Sequence, residues 1–236
     1  MCYKIATPKQ DILREYLVNQ GISVKNYPHY YHADGFGNPL LPLTTSEAPN
    51  IVQPGMWKLL PHWVKTEADA KKYANTLNAT SEDIFEKASF KPYVNKQRCL
   101  VWVEGFFEPH HPSAKVTVPY YIKMLDGNPI SLGGVYSKWL NHDTGEVIIT
   151  FTIITTPANE LMSRIHNDKK RMPLIIAPGD RNRWLGKLSK EEITEMMHPL
   201  PDGMLNAYAV SNLVYKKGVD ANIPEITLPE GVPSIF

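Results

Sequence analysis

Four side chains in this sequence have types suited to covalent and proton-transfer chemistry: Cys2, Asn78, Glu108 and His166. Cys2 becomes the first residue once Met1 is removed, and then carries an amine and a thiol on adjacent carbons. An α-amino pKa of about 7.7–8.0 leaves part of that amine free at neutral pH. A free amine attacks an aldehyde to give an imine, and the neighbouring thiol can close on the imine carbon to give a thiazolidine. Glu108 ends the run Gly105-Phe106-Phe107-Glu108 and precedes Pro109. A carboxylate held between Phe107 and Pro109 at the end of a buried strand is partly desolvated, which raises its pKa toward the range useful for proton transfer. It is equally the first polar residue that any strand would show. His166 offers an imidazole whose ordinary pKa is about 6.5, although a histidine at a helix end is commonplace. Asn78 brings two donors and an acceptor without charge, and would serve equally as a helix cap or turn residue.

The elements that must position these groups centre on Arg98–His111. Cys99-Leu100-Val101-Trp102-Val103 is an apolar, β-forming run that belongs in the middle of a sheet. Before it, Cys2 to Ala6 reads as a short strand. Thr7 and Pro8 read as the cap and first residue of a helix with an Ile12-Leu13-Tyr16-Leu17 stripe, closed by Gly21. Residues 22–56 read as extended segments and loops, Thr66 to Leu77 as a helix, and the stretch after Asn78 as a short helix through Lys87. After the central run, Val116–Met124, Ile130–Trp139 and Val147–Thr155 read as strands separated by Asp126-Gly127 and Asp143-Thr144-Gly145 turns. Thr156-Pro157 should cap a helix leading to His166. Pro173 to Ala177 reads as a buried strand, and Pro178-Gly179 should start a short helix with Trp184 and Leu185. Ser189 and Glu192 form a capping box, and Ala207 to Tyr215 reads as a closing strand. The expected class is α+β, a mostly antiparallel, barrel-like sheet with peripheral helices, in a single domain spanning 1–236 whose last twenty residues wrap the surface.

The bulk properties limit the function classes. A chain of 236 residues with 43% hydrophobic and 21% charged residues is globular. Its 25 basic and 24 acidic residues nearly cancel, so any nucleic-acid surface must be a local patch. Two cysteines exclude a disulfide framework and suit a reducing, cytoplasmic setting. The N-terminus has no apolar signal segment, and no run approaches the ~18 apolar residues of a membrane helix. His29-x-x-His32 and His110-His111 match no zinc spacing, so no metal or other cofactor is expected.

Cys2, Asn78-Ala-x-Ser-Glu82, Gly105-Phe-Phe-Glu108, and His166 followed by Arg171-Met-Pro173, with Trp57-x-x-Leu60-Pro61-x-Trp63 between them, come in an order that resembles the SOS response-associated peptidase family. Members of that family crosslink to abasic sites in single-stranded DNA. The resemblance runs from Cys2 to the Val210-Ser211 region. It implies that Cys2 forms the crosslink after autocatalytic loss of Met1, with Asn78 orienting the Cys2 amine. It further implies that Glu108 shuttles protons and His166 protonates the sugar ring oxygen to open the aldehyde. It places Thr155 at a strand end beside Cys2. The sequence departs from the family at Tyr3-Lys4, where Gly-Arg is usual, at Thr80, which replaces an arginine, and at Pro109, which replaces an aromatic. Asn167 to Lys170 also lengthen the segment between His166 and Arg171. The DNA-holding residues expected here are therefore Lys4, Thr80, Thr155, Lys169, Lys170 and Arg171, with Trp63 and Phe107 as stacking aromatics. Trp57 is expected in the core. The partner is single-stranded DNA containing abasic sites, with the protein acting as a monomer. Two other classes use the same residues: a thiol hydrolase of the N-terminal-nucleophile kind, and a single-strand binding module without catalysis.

Overall fold

The computed structural model describes residues 2–73 and 75–230, so Met1 and the last six residues of the expected surface tail lie outside the described residues. The chain order is β1 Lys4–Ala6, α1 Gln10–Val18, β2 Ser23–Val24, β3 Ala33–Asp34, β4 Leu40–Thr45, β5 Ala48–Trp57, α2 Glu67–Ala70, β6 Asn78–Thr80 and α3 Lys91–Val94. It continues with β7 Arg98–Val103, β8 Gly105–Ser113, β9 Val116–Met124, β10 Ile130–Leu140, β11 Val147–Pro157, α4 Glu160–Ile165, β12 Arg171–Pro173, α5 Arg181–Leu185, α6 Lys190–Met196 and β13 Leu205–Ala209.

Five of these strands close a ring. β11, β10, β7, β4 and β5 pair in that order, and β5 returns to β11 through the parallel register Thr150↔Met56 and Phe151↔Trp57. The other pairings in the ring are antiparallel, so the barrel is mixed by one seam. Closure removes the exposed edges that an open sheet would leave. A second sheet runs β13-β9-β8-β1-β3. This is the expected α+β architecture with a barrel-like, mostly antiparallel core.

β7 is the central strand that its composition predicts, and all six of its residues are buried. Cys99, Val101 and Val103 enter one core cluster, while Leu100 and Trp102 enter another, so both faces of the strand are packed. The chain leaves the barrel at Glu104 and enters the second sheet at Gly105. A Cβ on Gly105 would lie 2.6 Å from the Ile122 carbonyl oxygen and 2.5 Å from the Tyr121 ring, so β8 can cross β9 this closely only with glycine there. Ile5 and Phe106 of the second sheet join the same cluster as Val101 and Val103, which fixes the two sheets against each other.

Several local expectations are corrected. Helix α1 starts at Gln10, because the Thr7 hydroxyl accepts the Tyr30 amide at 2.8 Å and cannot cap. Only Glu67–Ala70 of the expected 66–77 helix forms. Downstream, the Leu77 carbonyl accepts Trp57 Nε1 and the Ile153 amide, which draws the backbone into the sheet. Residues 78–80 form a strand because they pair in parallel with β11, and the segment 81–87 after them forms turns. Thr156-Pro157 stays in β11, and Asn159 caps α4 instead. After β12, the predicted 173–177 strand is reduced to one bridge between Leu132 and Ile175. Strand β13 ends at Ala209, and Ser211 caps a 3-10 turn over Asn212–Tyr215. The capping box at Ser189 and Glu192 is present with both hydrogen bonds. Trp57 is fully buried, as expected.

Candidate functional site

Strand β11 organises the site from one side. Asn78 pairs with Ile153 in the parallel β6–β11 ladder, and Arg171 pairs with Pro157 in the antiparallel β11–β12 ladder. Strand β8 organises it from the other side, with Ile5 of β1 opposite Phe106 and Lys4 opposite Phe107. Cys2 precedes β1 and is fully buried. Asn78 Nδ2 donates to the Cys2 carbonyl at 2.8 Å. Asn78 Oδ1 is buried with no hydrogen-bond partner among the described residues.

Glu108 and His166 meet across this junction. Glu108 Oε2 lies 3.7 Å from His166 Nδ1, and both side chains are buried. Burial pushes the Glu108 carboxyl up to about 7. Burial also pushes the Cys2 thiol well above the ordinary thiol range, and the nearby Glu108 charge pushes it in the same direction. His166 is pushed down to about 4, chiefly by burial, so its ring is neutral at physiological pH. Its Nδ1 lies 3.0 Å from the Arg171 carbonyl oxygen. A carbonyl only accepts, so Nδ1 carries the proton and Nε2 is the acceptor nitrogen. The ordinary imidazole pKa that the sequence suggests is therefore lost to burial, and Glu108 is the group that titrates near neutrality.

A clamp holds the Glu108 strand against the end of α4. Asn167 Oδ1 accepts the His111 amide at 3.0 Å, and Asn167 Nδ2 donates to the His111 carbonyl at 2.8 Å. The His110 ring lies 3.0 Å from the Arg164 carbonyl. The segment that lengthens the chain after His166 thus ties β8 to α4. An open cleft of about 230 Å³ lies over the pair, walled by Tyr3, Tyr215, Lys4 and Lys169. Tyr3, Tyr215 and the Asn167 clamp carry no signal in the sequence, because their neighbours read as ordinary strand and helix ends.

The residues expected to hold DNA are divided by the structure. Lys169 lines the cleft, and Lys169 and Lys170 are exposed. Lys4 is paired with Asp34 at 2.7 Å. Arg171 makes two bonds to Glu82, of 2.5 and 2.9 Å, and a third to the Thr155 carbonyl at 2.6 Å. That hydrogen bonding holds the Glu82 carboxyl down at about 2. Thr155 is fully buried and donates to the Ala79 carbonyl at 3.4 Å. Thr80 spends its hydroxyl on Asp83. Phe107 is buried among Ala6, Tyr121 and Val214, so its ring packs in the core and offers no face for stacking. Trp63 is 39% exposed but donates to Tyr73 Oη, in the region around Trp139 and Val64 where β10 pairs with the start of β11. Among the described residues, no group of three His, Cys, Asp or Glu could hold a metal ion, and no helix is long and apolar enough to cross a membrane.

The SOS response associated peptidase (SRAP) profile matches residues 1–217. This chain belongs to the SRAP family. It is 31% identical over 227 residues to the abasic site processing protein YoqW of Bacillus subtilis, covering 95% of this chain and 94% of that protein. It is 29% identical over 208 residues to the abasic site processing protein HMCES of Pongo abelii, covering 76% of this chain and 57% of that one. A crystal structure of a protein from Bacteroides thetaiotaomicron superposes with a TM-score of 0.86 at 34% identity, covering 97% of this chain and all of that one. A Bordetella bronchiseptica structure shares the fold with a TM-score of 0.76 at 23% identity. The SRAP chain described here thus shares both fold and length with its bacterial relatives.

Proposed function

We propose that this SRAP protein processes abasic sites in single-stranded DNA by forming a covalent adduct through Cys2 after Met1 is removed. Its curated relatives are named for abasic site processing. The observation that carries the reading is Glu108, a buried carboxyl pushed up to about 7 and close enough to Cys2 to raise its thiol pKa.

At neutral pH such a carboxyl exists in both forms, so one side chain can give and take protons. In its protonated form Glu108 protonates the ring oxygen of the abasic sugar while the anomeric hydroxyl gives its proton to solvent, which frees the aldehyde. The Cys2 amine then adds to the aldehyde carbon, and the nitrogen returns a proton to the Glu108 carboxylate to leave a neutral carbinolamine. Glu108 protonates the departing hydroxyl, water leaves, and an imine remains. The Cys2 thiol adds to the imine carbon, and its proton passes to the nitrogen to complete the thiazolidine. Removal of Met1 uses Glu108 in its carboxylate form as the base for an attacking water. Asn78 fixes the Cys2 backbone during both steps, and neutral His166 offers Nε2 as an acceptor.

The thiol hydrolase reading needs a thiolate nucleophile, whereas burial and the Glu108 charge both keep the Cys2 thiol protonated. A binding module without catalysis has no use for a buried carboxyl that titrates near 7. The decisive experiment is incubation of the processed protein with abasic single-stranded DNA, followed by a denaturing gel. A band shift that survives denaturation is expected. Salt-sensitive binding without such a band would overturn the proposal.

A further inference from the structure

The cleft over Glu108 and His166 continues. A second cleft, of about 420 Å³, is lined by His32, Asp34, Lys216, Lys217 and Asp220, and it shares Lys4 and Tyr215 with the first. The two clefts form one trough with Tyr215 as the saddle. At one end stands Lys169, and at the other stand Lys216 and Lys217.

The cations along this trough differ in what they are free to do. Lys4 is committed to Asp34, and its ammonium lies 5.7 Å from the centre of the Tyr215 ring. Lys169, Lys216 and Lys217 are exposed and make no ion pair among the described residues. With Asp34 neutralised by Lys4, Asp220 is the one acid in the second cleft that opposes the two lysines. His32 is pushed down to about 4, chiefly by burial, and adds no charge.

The two lysines are presented from a fixed base. Val214 and Ala221 on either side are buried in the cluster around Phe107 and Tyr121. Ser211 caps the 3-10 turn before them, and Gly218 at φ +73° turns the chain after them. Asn222 Oδ1 accepts the Tyr31 and His32 amides and pins the far end. A polyanion lying in the trough meets ammonium groups at both ends and the reactive carboxyl between them.

We propose that Lys216 and Lys217 form a second phosphate clamp, which holds the backbone of single-stranded DNA on the side of the reactive centre opposite Lys169. This rests on the abasic-site reading and adds the path of the strand. Lysines on a loop act as point charges and read no sequence, so the clamp sets affinity and register without base preference.

The test uses the full chain and two oligonucleotides, an unmodified single strand and the same strand with one abasic site. Fluorescence anisotropy across a salt series reads binding of the first, and a denaturing gel at saturating DNA reads the adduct with the second. Each phosphate contact contributes about −0.7 to the log–log salt slope on single strands. Lys216→Ala/Lys217→Ala should therefore flatten the slope by up to about 1.4 and weaken binding severalfold at low salt. The adduct yield at saturation should match wild type, and Lys187→Ala in the turn after α5 should change neither readout. An unchanged slope in the double variant, with adduct still formed, would overturn the clamp and leave the function standing. A flattened slope without adduct from wild type or variant would keep the clamp and overturn the crosslinking reading. No binding of either strand by wild type would overturn both.

Discussion

Glu108 Oε2 and His166 Nδ1 stand 3.7 Å apart in a buried site, and burial moves their proton affinities in opposite directions. Glu108 holds its proton up to about pH 7, and His166 loses its proton down to about 4. The folded state therefore binds more protons than the unfolded chain at Glu108 between about 4.5 and 7. The stability that Glu108 contributes is present below about 4.5 and is lost as pH rises through about 7. For His166 the sign is opposite: its contribution is present above about 6.5 and is lost as pH falls through about 4. Glu108→Gln cannot titrate, so its stability relative to wild type should rise between pH 4.5 and 8, by up to about 3 kcal/mol. Urea denaturation at the two pH values measures this, and a flat difference would mean that Glu108 is solvated.

The same carboxyl should govern the pH dependence of the chemistry. Adduct formation by wild type should show an apparent pKa near 7 that disappears in Glu108→Gln once an added aminopeptidase has removed the Met1 of that variant. His166→Gln should slow the reaction and leave that apparent pKa in place. Intact mass offers a second readout, because Glu108→Gln should retain Met1 while wild type loses it. Complete loss of Met1 in both proteins would remove Glu108 from that step.

Cys2 is held by its carbonyl, through Asn78 at 2.8 Å, and its thiol is buried. Cys2→Ala keeps the amine and this hydrogen bond. It should still bind DNA and form an imine that borohydride traps, while losing the stable adduct. Asn78→Ala should do the reverse, keeping the thiol while leaving the Cys2 carbonyl unpaired, at a cost of about 1–3 kcal/mol in stability if the group stays buried. Its adduct rate should fall at least tenfold at saturating DNA. A Cys2→Ala adduct as stable as wild type would rule out the thiazolidine.

The sequence was most informative where the physics is local or strongly patterned. Cys99–Val103 is buried on both faces, and an uninterrupted β-forming run states as much. The desolvation of Glu108 is suggested by its neighbours Phe107 and Pro109, but the carboxyl lies inside β8 and not at the end of the Cys99–Val103 strand, and it is buried against His166, which the sequence does not show. The pKa of His166 was not legible, because it depends on the Asn167 clamp and on β8 lying across the end of α4. Stacking by Phe107 was misread for a related reason. An aromatic beside a carboxylate looks exposed in sequence, but strand alternation turns Phe107 to the opposite face from Glu108, into the Tyr121 and Val214 cluster. The helix expected after Asn78 failed because β6 borrows its hydrogen bonds from β11, far along the chain.

Arg171 shows how a residue chosen for its charge can act through position. Its guanidinium is taken up by Glu82 and the Thr155 carbonyl, and its own carbonyl faces His166 Nδ1 at 3.0 Å. Arg171 therefore spends its charge on Glu82 and on Thr155 of β11, and through its backbone it fixes the tautomer of His166. Lys169 and Lys170 have no such commitments among the described residues. Lys169→Ala/Lys170→Ala should flatten the salt slope of single-strand binding by up to about 1.4, and adding Arg171→Ala should flatten it little further. Arg171→Ala alone should instead lower stability by about 1–2 kcal/mol, since a partly exposed ion pair and a charged bond to a buried carbonyl are lost together. It should also slow adduct formation at saturating DNA, because β12, whose Arg171 carbonyl orients the His166 ring, loses its side-chain ties to Glu82 and Thr155. Arg171→Lys should recover little of either effect, as a lysine cannot bridge Glu82 and Thr155 in the same fork. If Arg171→Ala alone flattens the slope by about 0.7 while the lysine pair leaves it unchanged, the guanidinium leaves Glu82 for phosphate when DNA binds.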